Sequence, residues 1–266
     1  MPKRTTWDNR ITRAEELLDR NLSSSEPLAF YERLLALQKE MRQRVGSTPP
    51  LTTTEGTSLR EQLDLEVPMR WLSALIDIVE KHGPAKLAEE ARRVSAAPRE
   101  EHRQIFVEFL QTDAPTSYLP SSFFARVLLQ PYAEFLALRL TVPAQYSRSL
   151  CPLCGSRPQF AVLRPEGDGG KRHLACSLCL TEWEFRRIIC PVCDEVDPFK
   201  LPRYSPEDPI AVRVDACDTC KSYLKSFDMT VNGLLVPEVD EIATVPLDLW
   251  ASQHGYHKFQ LNLLGF

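Results

Sequence analysis

Eight cysteines occur in this chain, and all of them fall into four CxxC pairs: Cys151/Cys154, Cys176/Cys179, Cys190/Cys193 and Cys217/Cys220. The first 150 residues contain none. Twenty-one residues separate Cys154 from Cys176, and twenty-three separate Cys193 from Cys217. Each repeat opens as CPxC, first CPLC and then CPVC. This is a tandem pattern of two CxxC pairs about 20 residues apart, the spacing of four-cysteine metal ribbons. In a CxxC knuckle the chain turns tightly enough that both sulfurs face one point, and N–H groups of the turn can hydrogen-bond the thiolates. Gly155 follows the first knuckle and tolerates positive φ. Asp194 holds the matching place in the second repeat, and Asp reaches that region at modest cost. Two knuckles joined by a hairpin close a tetrahedral site with no open position for water, a structural rather than hydrolytic arrangement.

Other uses of the cysteines fit less well. Disulfides need an oxidising compartment, and a CxxC disulfide closes too short a loop to constrain much. A thioredoxin-type pair needs a βαβ setting that the residues around Cys151 lack. The ferredoxin spacings of iron–sulfur proteins are absent. The spacing therefore predicts two mononuclear four-cysteine sites, one per repeat, for iron or zinc; tetrahedral thiolate accepts either ion.

The rest of the chain divides at the same place. Leu28, Tyr31, Leu34, Leu35 and Met41 recur at helical spacing and predict a helix over 27–45, with Pro27 in its first turn and Ser25 or Glu26 as its cap. Residues 46–67, rich in Thr, Ser and Pro, read as a loop. Helices are predicted over 68–83, 84–97 and 99–111, with Gly83 and Pro98 as breaks. Residues 121–140 are apolar on most sides and predict a central helix, with Pro131 as a candidate kink. Seven of the ten glycines follow Pro143. There QFAVLRPEGDGGKRHLACSLC reads as strand, Gly-rich turn, strand, while 210–217 and 226–239 read as further strands or hairpins. A short closing helix and a tail are expected after about 246. The expected fold class is α+β: an all-helical domain over 1–145, a first four-cysteine ribbon over 146–187, and a second with the C-terminal tail over 188–266.

Hydrophobic residues at 43% and charged residues at 26% are ordinary for a soluble domain. The basic N-terminus has no apolar core behind it, and no run approaches about 18 apolar residues. The expectation is a cytoplasmic protein without a membrane span. Residues 1–150 hold 20 Lys and Arg against 20 Asp and Glu, whereas 151–266 hold 12 against 16. Filling both sites would add roughly −4 more if every thiolate ionises. That charge argues against nucleic acid and suits a basic partner segment.

No other motif carries chemistry with comparable force. GDGGKR, residues 167–172, lacks the Walker spacing and reads as a hairpin tip. His173 reads as a strand histidine rather than a ligand, and His254 and His257 have no partnered motif. Glu182 and Glu184 read as solvated residues beside a packed Trp183. The tract FFARVLLQPYAEFLALRL reads as core rather than a docking groove. With neither a nucleophile–base signature nor a dinucleotide fingerprint, no catalytic or cofactor-binding residue is assigned.

In order, CPLCGSRP, LACSLCLTEWEFRRIICPVC and DACDTCKSYLK resemble FdhE, the family of formate dehydrogenase accessory proteins. The ending GYHKFQLNLLGF resembles that family's closing segment, and FFARVLLQPYAEFLA is the best-matching helical stretch. The resemblance implies a cytoplasmic maturation factor, not an enzyme. It would bind the catalytic subunit of a twin-arginine-exported, molybdenum- or tungsten-containing formate dehydrogenase. It implies rubredoxin-like sites for iron, with zinc as the other candidate. Cys151, Cys154, Cys176 and Cys179 would form the first and Cys190, Cys193, Cys217 and Cys220 the second. Asp194 departs from the Gly common after a CPxC knuckle, which touches turn geometry and removes no ligand. Trp183 and Tyr223 are expected to pack around the knuckles, and homodimerisation is left open. The competing readings are a zinc-ribbon protein that binds nucleic acid or the transcription machinery, and a thiol–iron redox sensor or electron carrier.

Overall fold

A computed structural model describes residues 5–20, 23–45, 58–111, 120–167, 169–206 and 211–266. Helices α1 (Trp7–Asp19), α2 (Ser25–Arg44), α3 (Glu66–Met69), α4 (Leu72–His82), α5 (Ala85–Ala96) and α6 (Arg99–Gln111) precede α7 (Ser122–Ala137). The Thr6 hydroxyl caps α1 by accepting from the Asn9 N–H at 3.2 Å. The periodic stretches 27–45, 84–97, 99–111 and 121–140 became helices. The stretch 68–83 contains α4 and overlaps α3, with a break at Trp71. Of the predicted loop 46–67, residues 46–57 lie outside the described residues; the rest contains a 3-10 turn, Leu59–Gln62, and the start of α3.

Helix α7 is the centre of the helical part, buried from Phe123 to Ala137. It runs through Pro131, which has no N–H to offer the carbonyl of Val127 one turn earlier. The buried Gln38 of α2 supplies the missing donor, its Nε2 lying 2.8 Å from that carbonyl. A proline that would leave an acceptor unpaired therefore fixes the packing of α2 against α7.

Among the described residues, seven strands form one sheet: β1 (Pro158–Glu166), β2 (Gly169–Cys176), β3 (Glu182–Glu184), β4 (Arg203–Tyr204), β5 (Val212–Ala216), β6 (Ser222–Asp228) and β7 (His257–Lys258). The order is β3-β2-β1-β6-β5-β4, with β7 beside β6. Each four-cysteine repeat gives an antiparallel set, β1-β2-β3 and β4-β5-β6. The two sets join through the parallel pair β1·β6, in which Ala161 faces Ser226. The helical N-terminal part and the strand-rich cysteine-bearing part are thus the α+β architecture expected. The main core is continuous across them: Phe106, Phe124 and Leu128 share a cluster with Cys151, Cys176, Cys179 and Trp183.

One stretch folds differently. The sequence over 226–239 alternates like a hairpin, but β6 stops at Asp228 and helix α8 (Pro237–Ala243) begins nine residues later. Asp228 and Asn232 make side-chain turns, accepting from the N–H groups of Thr230 and Leu234 at 3.0 Å each. Pro237 then presets φ for a first helical turn that contains Glu238 and Asp240. Helix α9 (Val245–Gln253) is the short closing helix. Helix α8 binds the N-terminus: Arg10 reaches Glu134 at 2.7 Å and Glu238 at 3.1 Å, and Arg13 reaches Asp240 at 2.7 Å.

Candidate metal centres

The four CxxC segments fold into the same turn. The N–H of the first cysteine donates to the carbonyl five residues on: Cys151 to Ser156 at 2.8 Å, Cys176 to Thr181 at 3.0 Å, Cys190 to Glu195 at 2.9 Å and Cys217 to Ser222 at 2.9 Å. The residue after each second cysteine takes positive φ: Gly155 at 72°, Leu180 at 53°, Asp194 at 58° and Lys221 at 58°. Gly155 and Asp194 were expected there. Leu180 and Lys221 carry no sequence sign of it, and the closure of the knuckle imposes the conformation on them.

The turns bring the thiols together in two sets. Cys151, Cys154, Cys176 and Cys179 place their sulfurs within 4.8 Å of one another, and so do Cys190, Cys193, Cys217 and Cys220. In the first set the Sγ atoms are 3.6 Å apart for Cys151 and Cys179, 3.3 Å for Cys154 and Cys176, and 3.7 Å for Cys154 and Cys179. In the second, Cys190 and Cys220 are 3.7 Å apart and Cys193 and Cys217 are 3.6 Å apart. A tetrahedral ion with metal–sulfur bonds of about 2.3 Å has sulfur–sulfur edges of about 3.8 Å. Both sets fit such an ion, and all-thiolate donors suit zinc or iron alike. Backbone N–H groups already point at sulfur, from Leu178 and Cys179 to Cys176 and from Val192 to Cys190, each at 3.4 Å.

The two sets differ in surroundings. All four thiols of the first are buried in the core shared with the helices. Burial pushes the Cys176 and Cys179 thiols up, while hydrogen bonds from Cys151 and its neighbours hold Cys154 low. The hydroxyls of Ser156 and Thr181 lie 3.3 and 3.2 Å from the sulfurs of Cys154 and Cys179. The helical part clamps this set: Gln130 of α7 donates to the Ser177 carbonyl at 3.1 Å, and Arg60 donates to Ser156 Oγ at 2.8 Å. In the second set Cys193 is exposed and Cys220 half-buried. Burial pushes Cys190 up, whereas at Cys220 hydrogen bonding from Ser222 outweighs burial and holds the thiol low.

The sequence carries a sign of these hydroxyl neighbours. Two residues after the second cysteine stand Ser156, Thr181, Glu195 and Ser222, a hydroxyl in three knuckles of four. The histidines fall outside both sets: His173 lies in β2, His257 in β7, and His254 stacks on Trp250 at 4.1 Å. Trp183 is buried and donates to the Arg148 carbonyl at 3.0 Å, while the buried Tyr223 donates to Asp248 at 2.9 Å. Glu184 is exposed as expected, but Glu182 is not free in solvent: Arg164 of β1 reaches across β2 and grips this β3 carboxylate at 2.6 and 3.0 Å.

Comparison with known proteins follows the cysteine pattern. The family model for the FdhE central domain matches residues 150–187, and that for the FdhE C-terminal domain matches residues 188–264. The protein FdhE homolog of Aquifex aeolicus is 30% identical over 207 residues, covering 77% of this chain and 72% of that one. The chain belongs to the FdhE family. Among its relatives, the FdhE homolog of Pseudomonas aeruginosa is 28% identical over 95% of this chain and 88% of its own. Protein FdhE of Escherichia coli is 29% identical, with 94% and 85% covered. The crystal structure of the FdhE protein from Pseudomonas aeruginosa superposes with a TM-score of 0.75 at 25% identity, over 99% of this chain and 98% of that one. The FdhE likeness therefore extends over the helical part, beyond the stretch that the two family models match.

Proposed function

We propose that this FdhE-family chain is a cytoplasmic accessory protein that binds the catalytic subunit of a formate dehydrogenase and assists its maturation without turnover. The observation that carries the reading is the closure of both thiol sets. Four sulfurs face one point in each, the arrangement that fixes loops rather than activating water. The family and the resemblance of the cysteine segments supply the identity of the client. The proposed ligands are Cys151, Cys154, Cys176 and Cys179 for one ion, and Cys190, Cys193, Cys217 and Cys220 for the other, iron or zinc. A bound ion supplies cross-linking of two knuckles, worth about 10–16 kcal/mol of folding free energy for structural zinc in small domains. The chain's own residues do the rest. The four positive-φ turns aim the sulfurs, Gln130 and Arg60 hold the first pair of knuckles against the helices, and the β1·β6 seam sets one ribbon beside the other. In this reading the helical domain, 1–145, and the ribbons, 146–187 and 188–266, present one surface to the client.

The test is capture from the protein's own cells. A tagged chain purified without oxygen is expected to bring down a formate dehydrogenase catalytic subunit. Recovery of nucleic acid in its place, with no such subunit, overturns the reading.

A further inference from the structure

The molecule has a cleft of about 330 Å³ where the two ribbons meet, beside the second thiol set. Its polar lining is lopsided. Arg172 of β2, Arg187 and Arg203 of β4 face it, against the single carboxylate of Asp215 on β5. That carboxylate is already engaged by Arg213 at 2.8 Å and by the Ser226 hydroxyl at 2.5 Å. Arg172 and Arg203 stand 4.0 and 3.9 Å from it, too far for hydrogen bonds. Arg172 is 5% exposed; its Nη1 donates to the carbonyls of Arg186 and Ile189 at 3.3 and 3.1 Å, but its Nε has no hydrogen-bond partner. A buried guanidinium donor left unmatched at the edge of a cleft is a position where a ligand acceptor gains most. Cys190 and Cys217 of the second thiol set line the cleft as well, and Arg187 and Arg203 are both exposed.

The other walls are apolar: Ile188, Ile189, Pro191, Val192, Pro198 and Leu201. Ile188, Val192, Val196 and Phe199 continue them outward as exposed hydrophobics, and Phe199 is 93% exposed on the 3-10 turn Pro198–Lys200 that forms one lip. Large apolar groups held in solvent beside arginines have the composition of a protein-binding surface. We propose that this cleft docks an acidic–apolar segment of a partner polypeptide, with a Glu or Asp carboxylate on Arg172, Arg187 and Arg203 and flanking aliphatic residues against Val192, Leu201 and Phe199. Charge complementarity selects this occupant. A basic segment meets three guanidiniums here, despite the acidic balance of residues 151–266 as a whole. The inference rests on the reading of the protein as a client binder and names the chemistry by which one surface grips.

The experiment uses the full-length, metal-loaded protein and a short fluorescent peptide carrying one glutamate between leucines, with its glutamine twin as control. Binding read by anisotropy is expected to be about ten-fold or more weaker for the glutamine peptide, and to weaken with salt. The double variant R187Q/R203Q changes exposed side chains and is expected to keep its metal content and circular dichroism while losing about ten-fold in affinity. Phe199→Ala is expected to weaken both peptides alike. Equal affinity for the two peptides, no effect of R187Q/R203Q, or no binding overturns the proposal. Capture of the client from cells separates the levels: peptide failure with the formate dehydrogenase subunit still recovered sinks the cleft alone, and loss of that capture sinks the broader reading.

Discussion

Asp194 sits where its backbone adopts φ of 58°, in a position that Gly155 fills in the first repeat. A short polar residue tolerates that region at a cost that glycine avoids and a β-branched residue raises. Asp194→Gly is therefore expected to leave the loaded protein as stable or up to about 1 kcal/mol more so, and Asp194→Val to cost about 1–3 kcal/mol. Denaturant titration of the two variants checks this, and equal stabilities would contradict the strain argument. At this scale the sequence is partly transparent. The pairing of cysteines, the glycine and the aspartate mark their knuckles in plain view. Leu180 and Lys221 take the same backbone conformation with no compositional sign, because the knuckle's closing hydrogen bonds, not the residue, select it. Gln38 was equally silent: its partner is a carbonyl orphaned by a proline 93 positions away in the chain, a link that no local pattern records.

Between elements, the C-terminal segment is held by charges in the interior. Lys225 of β6, 0% exposed, donates to Asp248 of α9 at 2.7 Å and to the Glu241 carbonyl of α8 at 2.7 Å. Lys258 of β7 reaches Asp248 at 2.8 Å and pairs with Glu241 as well. Two cations and two carboxylates balance, so removing one member leaves a charge buried without its partner. Asp248→Asn is expected to cost about 3–5 kcal/mol, measured as the stability difference from the parent near neutral pH. Burial would raise the Asp248 carboxyl, but Lys225 and Lys258 outweigh it and hold it below the usual range. A depressed carboxyl stabilises the fold above its unfolded value, about 3.9, and that contribution is lost as pH falls through the folded value. The gap between parent and Asp248→Asn is thus expected to be full above about pH 4 and to close below it. A gap that widens in acid would contradict the assignment. Helices with clear periodicity, such as α2 and α6, were legible in the sequence. Helix α8 was not: at seven residues it is too short for a period to show, and it follows directly on the apolar run Leu234, Leu235 and Val236, which reads as strand. The parallel β1·β6 seam was hidden too, since pairing across 65 residues leaves no period to find.

For the whole molecule, the two thiol sets share one design but sit in unequal protection. The first lies in the core that the helices build, while the second has Cys193 in solvent and Cys220 half covered. Removing an ion from the first requires opening the fold; removing it from the second requires only local motion. With a competing chelator, loaded protein is expected to release its metal in two phases differing by about ten-fold or more in rate, and Cys193→Ser is expected to abolish the fast one. A single phase would contradict this asymmetry. No described helix is long and apolar enough to cross a membrane. Among the described residues, four of the ten exposed large hydrophobics, Ile188, Val192, Val196 and Phe199, lie within six positions of the first knuckle of the less protected set.

The central claim is that two four-cysteine centres organise this fold, and metal analysis of anaerobically purified protein tests it most directly. Two ions per chain are expected, one for each thiol set, with one lost when Cys190 and Cys193 are changed to Ser and the helical part still folded. Changing Cys151 and Cys154 is expected to remove an ion and to loosen the helical part as well, because that set shares its core. Protein that carries no metal yet keeps its native fold and its client would contradict the account.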